Sequence, residues 1–216
     1  MIENCQGKAF NIYYVEKTRN RILYTEQCAG LSKDLLGKIL VTHLGGKTTS
    51  GRIVECEAYA GEIDNASHAS GGRRTPRTEI MFGHGGTAYI YLCYGIHHMF
   101  NVVTNEKGIP HAILIRALEP IEGVDTMLER TGKEKPDASL TRGPGNVGKA
   151  LGLHSSMTGY SLQSDEIFIA DDGFRYPGEL IKASPRIGVD YAGDHARWPF
   201  RLYIAGHVNV SGKPRK

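Results

Sequence analysis

Apolar and polar positions alternate every second residue in several stretches of this chain, a spacing that predicts strands more often than helices. Lys38 to Leu44 (KILVTHL) is the first strand expected, Gly45 and Gly46 supply the positive φ of a turn, and Gly51 to Tyr59 returns as its hairpin partner. Thr87 to Tyr94 (TAYIYLCY) is rich in strand formers, Gly95 interrupts it, and Met99 to Thr104 resumes it. Asn105 to Gly108 reads as a turn. His111 to Leu118 (HAILIRAL) is apolar enough for a central strand, apart from Arg116. Glu166 to Ala170 and Arg201 to Gly206 complete the strand set.

Helical spacing is confined to short stretches. Leu31 to Gly37 predicts a helix with Ser32 as its cap and Gly37 as its stop. Pro120 to Arg130 predicts another, with Ile121, Val124 and Leu128 on one face and Gly132 ending it, and Pro144 starts a third. Strands outnumber helices and hairpin links dominate, so the expected fold is α+β: a single mixed domain over residues 28–216, with a largely antiparallel curved sheet flanked by helices. Residues 1–27 show no sustained periodicity and are read as an N-terminal extension of unknown role.

Composition narrows the class. The 216 residues are 40% hydrophobic and 23% charged, with a mean hydropathy of −0.31, which suits one globular domain rather than a disordered chain. No apolar run approaches the roughly 20 residues of a membrane span, and the N-terminus lacks the pattern of a signal peptide, so an intracellular location without membrane partners is expected. The four cysteines are scattered too widely for a redox or zinc motif. A net charge of +3 is mild, but Arg73, Arg74 and Arg77 crowd one loop, and Arg197 and Arg201 bracket Trp198. Such loops hold phosphates or simply face solvent.

The densest chemistry lies in Arg52 to His68 (RIVECEAYAGEIDNASH). Read as a strand, it buries Ile53, Cys56 and Ala58 and turns Glu55, Glu57 and Tyr59 to one common face, with the two carboxylates roughly 6.6 Å apart. Two such acids serve glycoside hydrolysis or merely form a polar outer face. Tyr89, Tyr91 and Tyr94 fall in one candidate strand, with Tyr91 and Tyr94 on opposite faces, an arrangement equally suited to stacking on a base or to packing. His97 and His98 are adjacent and chelate poorly, and His68 and His111 lack ligand spacing, so no metal is expected. The glycine-rich stretches lack the phosphate-loop and dinucleotide fingerprints. Ser67, His68 and Asp64 assemble a nucleophilic triad only on paper, without a nucleophile elbow.

RIVECEAYAGEIDNASH, GGRRTPR, MFGHGGTAYIYLCYGIHHMFNVV, ILIRALEP, RGPGNVGKALG and RIGVDYAGDHARWPFRLYIAG, taken in order from about Leu31 to Gly206, resemble the successive motifs of the alkyladenine (3-methyladenine) DNA glycosylase family. The resemblance implies a monofunctional enzyme that binds duplex DNA through the minor groove and hydrolyses the N-glycosidic bond of alkylated, deaminated or etheno purines. It implies neither metal nor organic cofactor, no strand cleavage and a monomer working with DNA inside the cell. By matching motif, Glu57 would be the general base that activates water and Arg116 would help position it. Tyr59, His68 and Tyr91 would form the base pocket, with Asn101 screening purine substituents. Tyr94 would be the wedge that replaces the flipped nucleotide. Arg73, Arg74, Arg77 and Arg197 would meet the DNA backbone. The chain departs from the family pattern at Asn146, where lysine is usual, at Ile96, where some relatives carry methionine, and at Thr78, where asparagine is common. Two other readings remain at this stage, a carbohydrate glycosidase using Glu55 with Glu57 and a noncatalytic protein that binds damaged DNA.

Overall fold

The computed structural model describes residues 28–212, so the proposed N-terminal extension lies outside the described residues. Helix α1 (Cys28–Leu35) leads into β1 (Ile39–Leu44) and β2 (Lys47–Tyr59), an antiparallel hairpin turned by Gly45 and Gly46 at φ 61° and 71°. Strand β3 (Thr87–Cys93), β4 (His97–Thr104) and β5 (His111–Glu122) follow as a meander. Helices α2 (Val124–Thr131) and α3 (Pro144–Leu151) then precede β6 (Ile167–Ala170), β7 (Ile181–Ser184) and β8 (Arg201–Ile204). All pairings are antiparallel, in the order β3-β4-β5-β2-β1-β6, with β8 joining the C-terminal half of β2 and β7 joining β8. The α+β expectation with an antiparallel sheet holds.

Strand β2 is the branch point. Its first half pairs with β1 and its second half with β8, while β5 runs along its other edge. One face of the sheet, carrying Val54, Cys56, Phe100, Val102, Ile113 and Ile115, packs with Leu31 and Leu35 of α1 and with Val147 and Leu151 of α3 to form the main core. Burying each such side chain stabilises the fold by about 1.5–3 kcal/mol. Helix α3 comes close to β4 because Gly148 has no side chain: a Cβ there would meet the His98 carbonyl oxygen at 2.0 Å.

Three local expectations change, and one strand was not anticipated. Ser32 does not cap a helix, because α1 begins at Cys28 and the Ser32 hydroxyl donates to the Cys28 carbonyl one turn back. The helix expected from Pro120 begins at Val124. Pro120 instead stays in β5 opposite Gly51, next to a register shift, where a strand tolerates a residue without an N–H. Tyr94 is not in a strand: β3 ends at Cys93 opposite His97, and Tyr94 occupies the turn. Strand β7 has too short and mixed a pattern to be seen in the sequence.

Among the described residues, the second face of the sheet carries no long helix. It is covered by irregular chain with short 3-10 turns at Gly61–Ile63, Ser70–Gly72, Glu79–Phe82 and Asp190–Arg197. Two small apolar clusters fasten this cover, one around Met81, Phe82 and Tyr89, the other around Ala66, Val189 and Ala192.

Candidate active site

Strand register brings a row of side chains across the second face: Tyr89 opposite Asn101, Asn101 opposite Leu114, Leu114 opposite Glu57, and Glu57 opposite Arg201. Side chains of directly opposed residues share a face, so the row follows from pairing alone. Val54 on β2 and Arg116 on β5 are each an extra residue in the ladder, since Ile53 faces Leu118, Glu55 faces Ala117 and Cys56 faces Ile115. These bulges allow Ile53 and Val54 both to be buried, and they accompany the turning of Arg116 toward the carboxylates.

Above the row lies a cavity of about 360 Å³. Tyr59, Tyr89, Tyr91, Asn101 and Leu114 line it from the sheet, His68, Arg77 and Met81 from the covering segment, and Ile187, Gly188 and Val189 from the loop before β8. Tyr94 and Tyr191, 90% and 71% exposed, flank its mouth.

Glu57 is fully buried and held from three sides. Its Oε1 accepts the Ile187 N–H at 2.8 Å, and its Oε2 accepts the Tyr59 hydroxyl at 2.9 Å and Arg116 Nη1 at 3.3 Å. Burial and the neighbouring Glu57 charge push the Tyr59 phenol well above its ordinary range, so it stays a neutral donor. Burial disfavours the Arg116 charge, but Glu57 and Glu55 more than compensate and raise it further.

Glu55 has a different fate. Its Oε1 accepts from Arg116 Nε at 3.1 Å, Arg201 Nε at 2.6 Å and the Ser211 hydroxyl at 2.7 Å, and its Oε2 accepts the Ser211 N–H at 2.7 Å. Burial alone would raise this carboxyl, yet Arg116, Arg201 and the Ser211 amide together hold it below the usual carboxylate range. Neither carboxylate lines the cavity itself, but Glu57 bonds three residues that do, Tyr59, Arg116 and Ile187, whereas Glu55 bonds only one, Arg116. The two acids therefore do not form a matched pair facing the cavity.

His68 shares a 2.8 Å hydrogen bond between Nδ1 and the Tyr89 hydroxyl, and packs edge-on to Tyr91. Burial, with Arg77 and Arg73 nearby, pushes the imidazole down to about 4, which leaves it neutral at physiological pH. Arg77, exposed at its outer side, donates to the Tyr89 hydroxyl and stacks on the Tyr91 ring, so it also lines the cavity. Arg74 lies over Phe82 and pairs with Glu79, and Arg197 pairs with Asp194. All four members of these two ion pairs, and Arg73 itself, are exposed. Asn101 donates from Nδ2 to the carbonyls of Tyr89 and Met99 at 3.1 and 3.2 Å. Tyr94 adopts φ 51°, a conformation that costs a bulky residue about 1 kcal/mol or more. The departures from the family pattern divide. Asn146 bonds the Ser139 and Arg142 carbonyls, and Thr78 ties its own loop to Arg73 and Thr75, whereas Ile96 stands 72% exposed beside Tyr94.

Sequence reasoning did not find Arg186, Arg201, Ser211 or the Ile187 amide, nor give Asp64 its part. Arg186 and Asp64 form a fully buried pair, with Nη1 and Nη2 reaching the two carboxylate oxygens at 2.5 and 2.8 Å. The signal available was an arginine heading an apolar run, at RIGV and RLYI, which becomes informative only once its partner is known. Among the described residues no group of three or more histidine, cysteine or acidic side chains could hold a metal ion, and no helix is long and apolar enough to cross a membrane.

The model of the methylpurine-DNA glycosylase family matches residues 22–208. The chain belongs to that family. A protein of Chlamydia abortus is 48% identical over 175 residues, 81% of this chain and 90% of its own length. One of Clostridium acetobutylicum is 41% identical over 198 residues, covering 88% and 96%, and one of Bacillus cereus strain AH820 is 45% identical over 191, covering 85% and 93%. Each bears the name "Putative 3-methyladenine DNA glycosylase". Family membership makes this chain a DNA glycosylase, a hydrolase of alkylated-base repair.

Proposed function

We propose that the protein flips an alkylated purine out of duplex DNA into the aromatic cavity and hydrolyses its N-glycosidic bond with water activated by Glu57. The observation that carries this reading is the buried Glu57 carboxylate, fixed by Tyr59, Arg116 and the Ile187 amide, three residues that line the cavity. A 3- or 7-methylated purine already carries positive charge and departs readily, so one carboxylate that takes a proton from water and stabilises the oxocarbenium-like sugar suffices. Arg116 would help position that water. Tyr59, His68 and Tyr91 would enclose the base, and a neutral His68 adds no repulsion toward a cationic lesion. Tyr94, exposed and strained at a hairpin tip, suits insertion into the gap left in the stack. Arg73, Arg74 and Arg197 suit contact with the DNA backbone, a role that Arg77 is less free to take.

The activity needs no strand cleavage, because water and not lysine is the nucleophile, and the protein acts as a monomer in this reading. With DNA as substrate, the enzyme works inside the cell. Purified protein should release free 3-methyladenine from methylated duplex DNA and leave an intact abasic site, and Glu57→Gln should lose release at least 1000-fold while still binding the lesion. Wild-type release in the Glu57→Gln variant would refute the assignment of the base, and cleavage of the strand by pure enzyme would refute the monofunctional reaction.

A further inference from the structure

The two hydrogen-bond donors that meet Glu57 alongside Arg116 share one support. Ile187 follows Arg186 directly, and its N–H reaches Glu57 Oε1 at 2.8 Å. The Tyr59 ring, whose hydroxyl reaches Oε2, lies 4.8 Å beneath the Arg186 guanidinium. Arg186 is itself tied down on all sides: bidentate to Asp64, to the Ala58 carbonyl at 2.8 Å, to the His195 carbonyl at 3.1 Å and against the Phe200 ring. Asp64 is anchored in turn by the Ala60 and Ala66 amides at 3.1 and 3.0 Å.

We infer that the buried Asp64–Arg186 pair is a positioning device that sets the orientation of the Glu57 carboxylate through the Ile187 amide and the Tyr59 ring. The inference rests on Glu57 being the general base. Neither Asp64 nor Arg186 lines the cavity or bonds the Glu57 carboxylate, so any effect on the reaction passes through Ile187 and Tyr59. A role in stability alone explains the pair poorly. Fully buried ion pairs are often no more stabilising than apolar side chains of the same volume, and Arg186 Nε is buried with no partner among the described residues, a further cost. What the pair does uniquely is join three segments around one carboxylate: the end of β2 through Ala58, the covering segment through Asp64, and the loop of Ile187 to Val189 that forms a cavity wall. Only a planar, forked cation satisfies both Asp64 oxygens and a carbonyl at once, so lysine cannot replace it.

The test compares Arg186→Lys and Asp64→Asn with wild type, measuring single-turnover release of 3-methyladenine from methylated duplex DNA and the Kd for duplex DNA holding an uncleavable abasic analogue. Both are expressed per folded molecule. Arg186→Lys should release base at least 30-fold more slowly while Kd changes less than threefold, and Asp64→Asn should be intermediate. The Ile187 amide proton, shifted downfield by its carboxylate acceptor in wild type, should move upfield in both variants. Rates and an Ile187 resonance at wild-type values, with only the melting temperature lowered, would overturn the inference. If the side-chain variants do not fold, replacing the Ile187 amide by an ester removes the donor and leaves every side chain in place. It should slow release by at least 10-fold, and a full rate there would also overturn the inference. Glu57→Gln in the same assay separates the two claims: if it stays active, the identity of the base fails, whereas an inactive Glu57→Gln beside a fully active Arg186→Lys defeats the positioning role alone.

Discussion

Glu55 and Glu57 stand two residues apart on one face of one strand, yet their surroundings divide structure from chemistry. Glu55 is the counter-ion of two buried arginines. Glu55→Gln should therefore cost about 3–5 kcal/mol of stability in urea unfolding, the usual loss when one member of a buried pair is removed. Glu57→Gln leaves Arg116 still paired with Glu55 and should cost no more than about 2 kcal/mol while abolishing base release. Equal stability losses would show that Glu55 is not the anchor. Asn101 is pinned by two backbone carbonyls, so it cannot swing away from an incoming base. A rigid side chain there would crowd the exocyclic amine that guanine has and hypoxanthine lacks. Asn101→Ser should raise release of mispaired guanine relative to hypoxanthine at least fivefold in single-turnover assays, and a parallel decline of both would leave Asn101 a purely structural residue. His68 gives a pH signature. Its folded value of about 4 lies below the ordinary 6.5, so the unfolded chain binds more protons between those limits. The stabilisation from a neutral His68 is complete above about pH 6.5 and is lost as pH falls toward 4. Melting temperature should fall more steeply from pH 7 to 4.5 in wild type than in His68→Gln, and equal slopes would contradict the shift.

At the scale of elements, the β3–β4 hairpin is the device that carries Tyr94. Thr87 to Cys93 and His97 to Thr104 pair along their full length, so the tip projects rigidly, and the strained φ of Tyr94 is held by a turn closed through Ile96 N–H to the Cys93 carbonyl. The tip also exposes Ile96 and, in part, Leu92, an apolar surface that water alone does not favour. Tyr94→Ala should weaken capture of the flipped state by about 1–3 kcal/mol, the worth of one stacking aromatic, and should affect duplex substrate more than single-stranded. Because the side chain is exposed, its loss should leave thermal stability within about 0.5 kcal/mol of wild type. A fall in stability with equal loss on both substrates would instead assign Tyr94 to packing.

Over the whole molecule the charge balance is close to neutral, so attraction to DNA depends on where individual cations stand rather than on the +3 total. Arg74 and Arg197 already pair with Glu79 and Asp194, whereas among the described residues no ion pair to an acidic group accompanies Arg73 in its exposed loop. Arg73→Ala should reduce the slope of log Kd against log salt by about 1 if it meets a phosphate. An unchanged slope would remove Arg73 from the DNA contacts.

Much of this molecule was legible before folding because its determinants are local. Alternation placed Glu55, Glu57 and Tyr59 on one face, the paired glycines marked the first hairpin, and Arg116 stood out as a charge in an apolar strand. The family motifs, matched over most of the chain, named the chemistry. What alternation could not do was choose between the two carboxylates, since both satisfy the same period. The family motif pointed to Glu57, and the two surroundings differ through groups 130 to 156 residues further along the chain: Ile187 offers its amide to Glu57, while Arg201 and Ser211 enclose Glu55. Such partners are set by strand register and by where irregular loops return, and neither leaves a periodic trace in the residues that depend on them. The helix expected at Pro120 failed for the same reason, because proline at a strand bulge and proline at a helix start are locally alike and only the pairing of Gly51 with β5 distinguishes them.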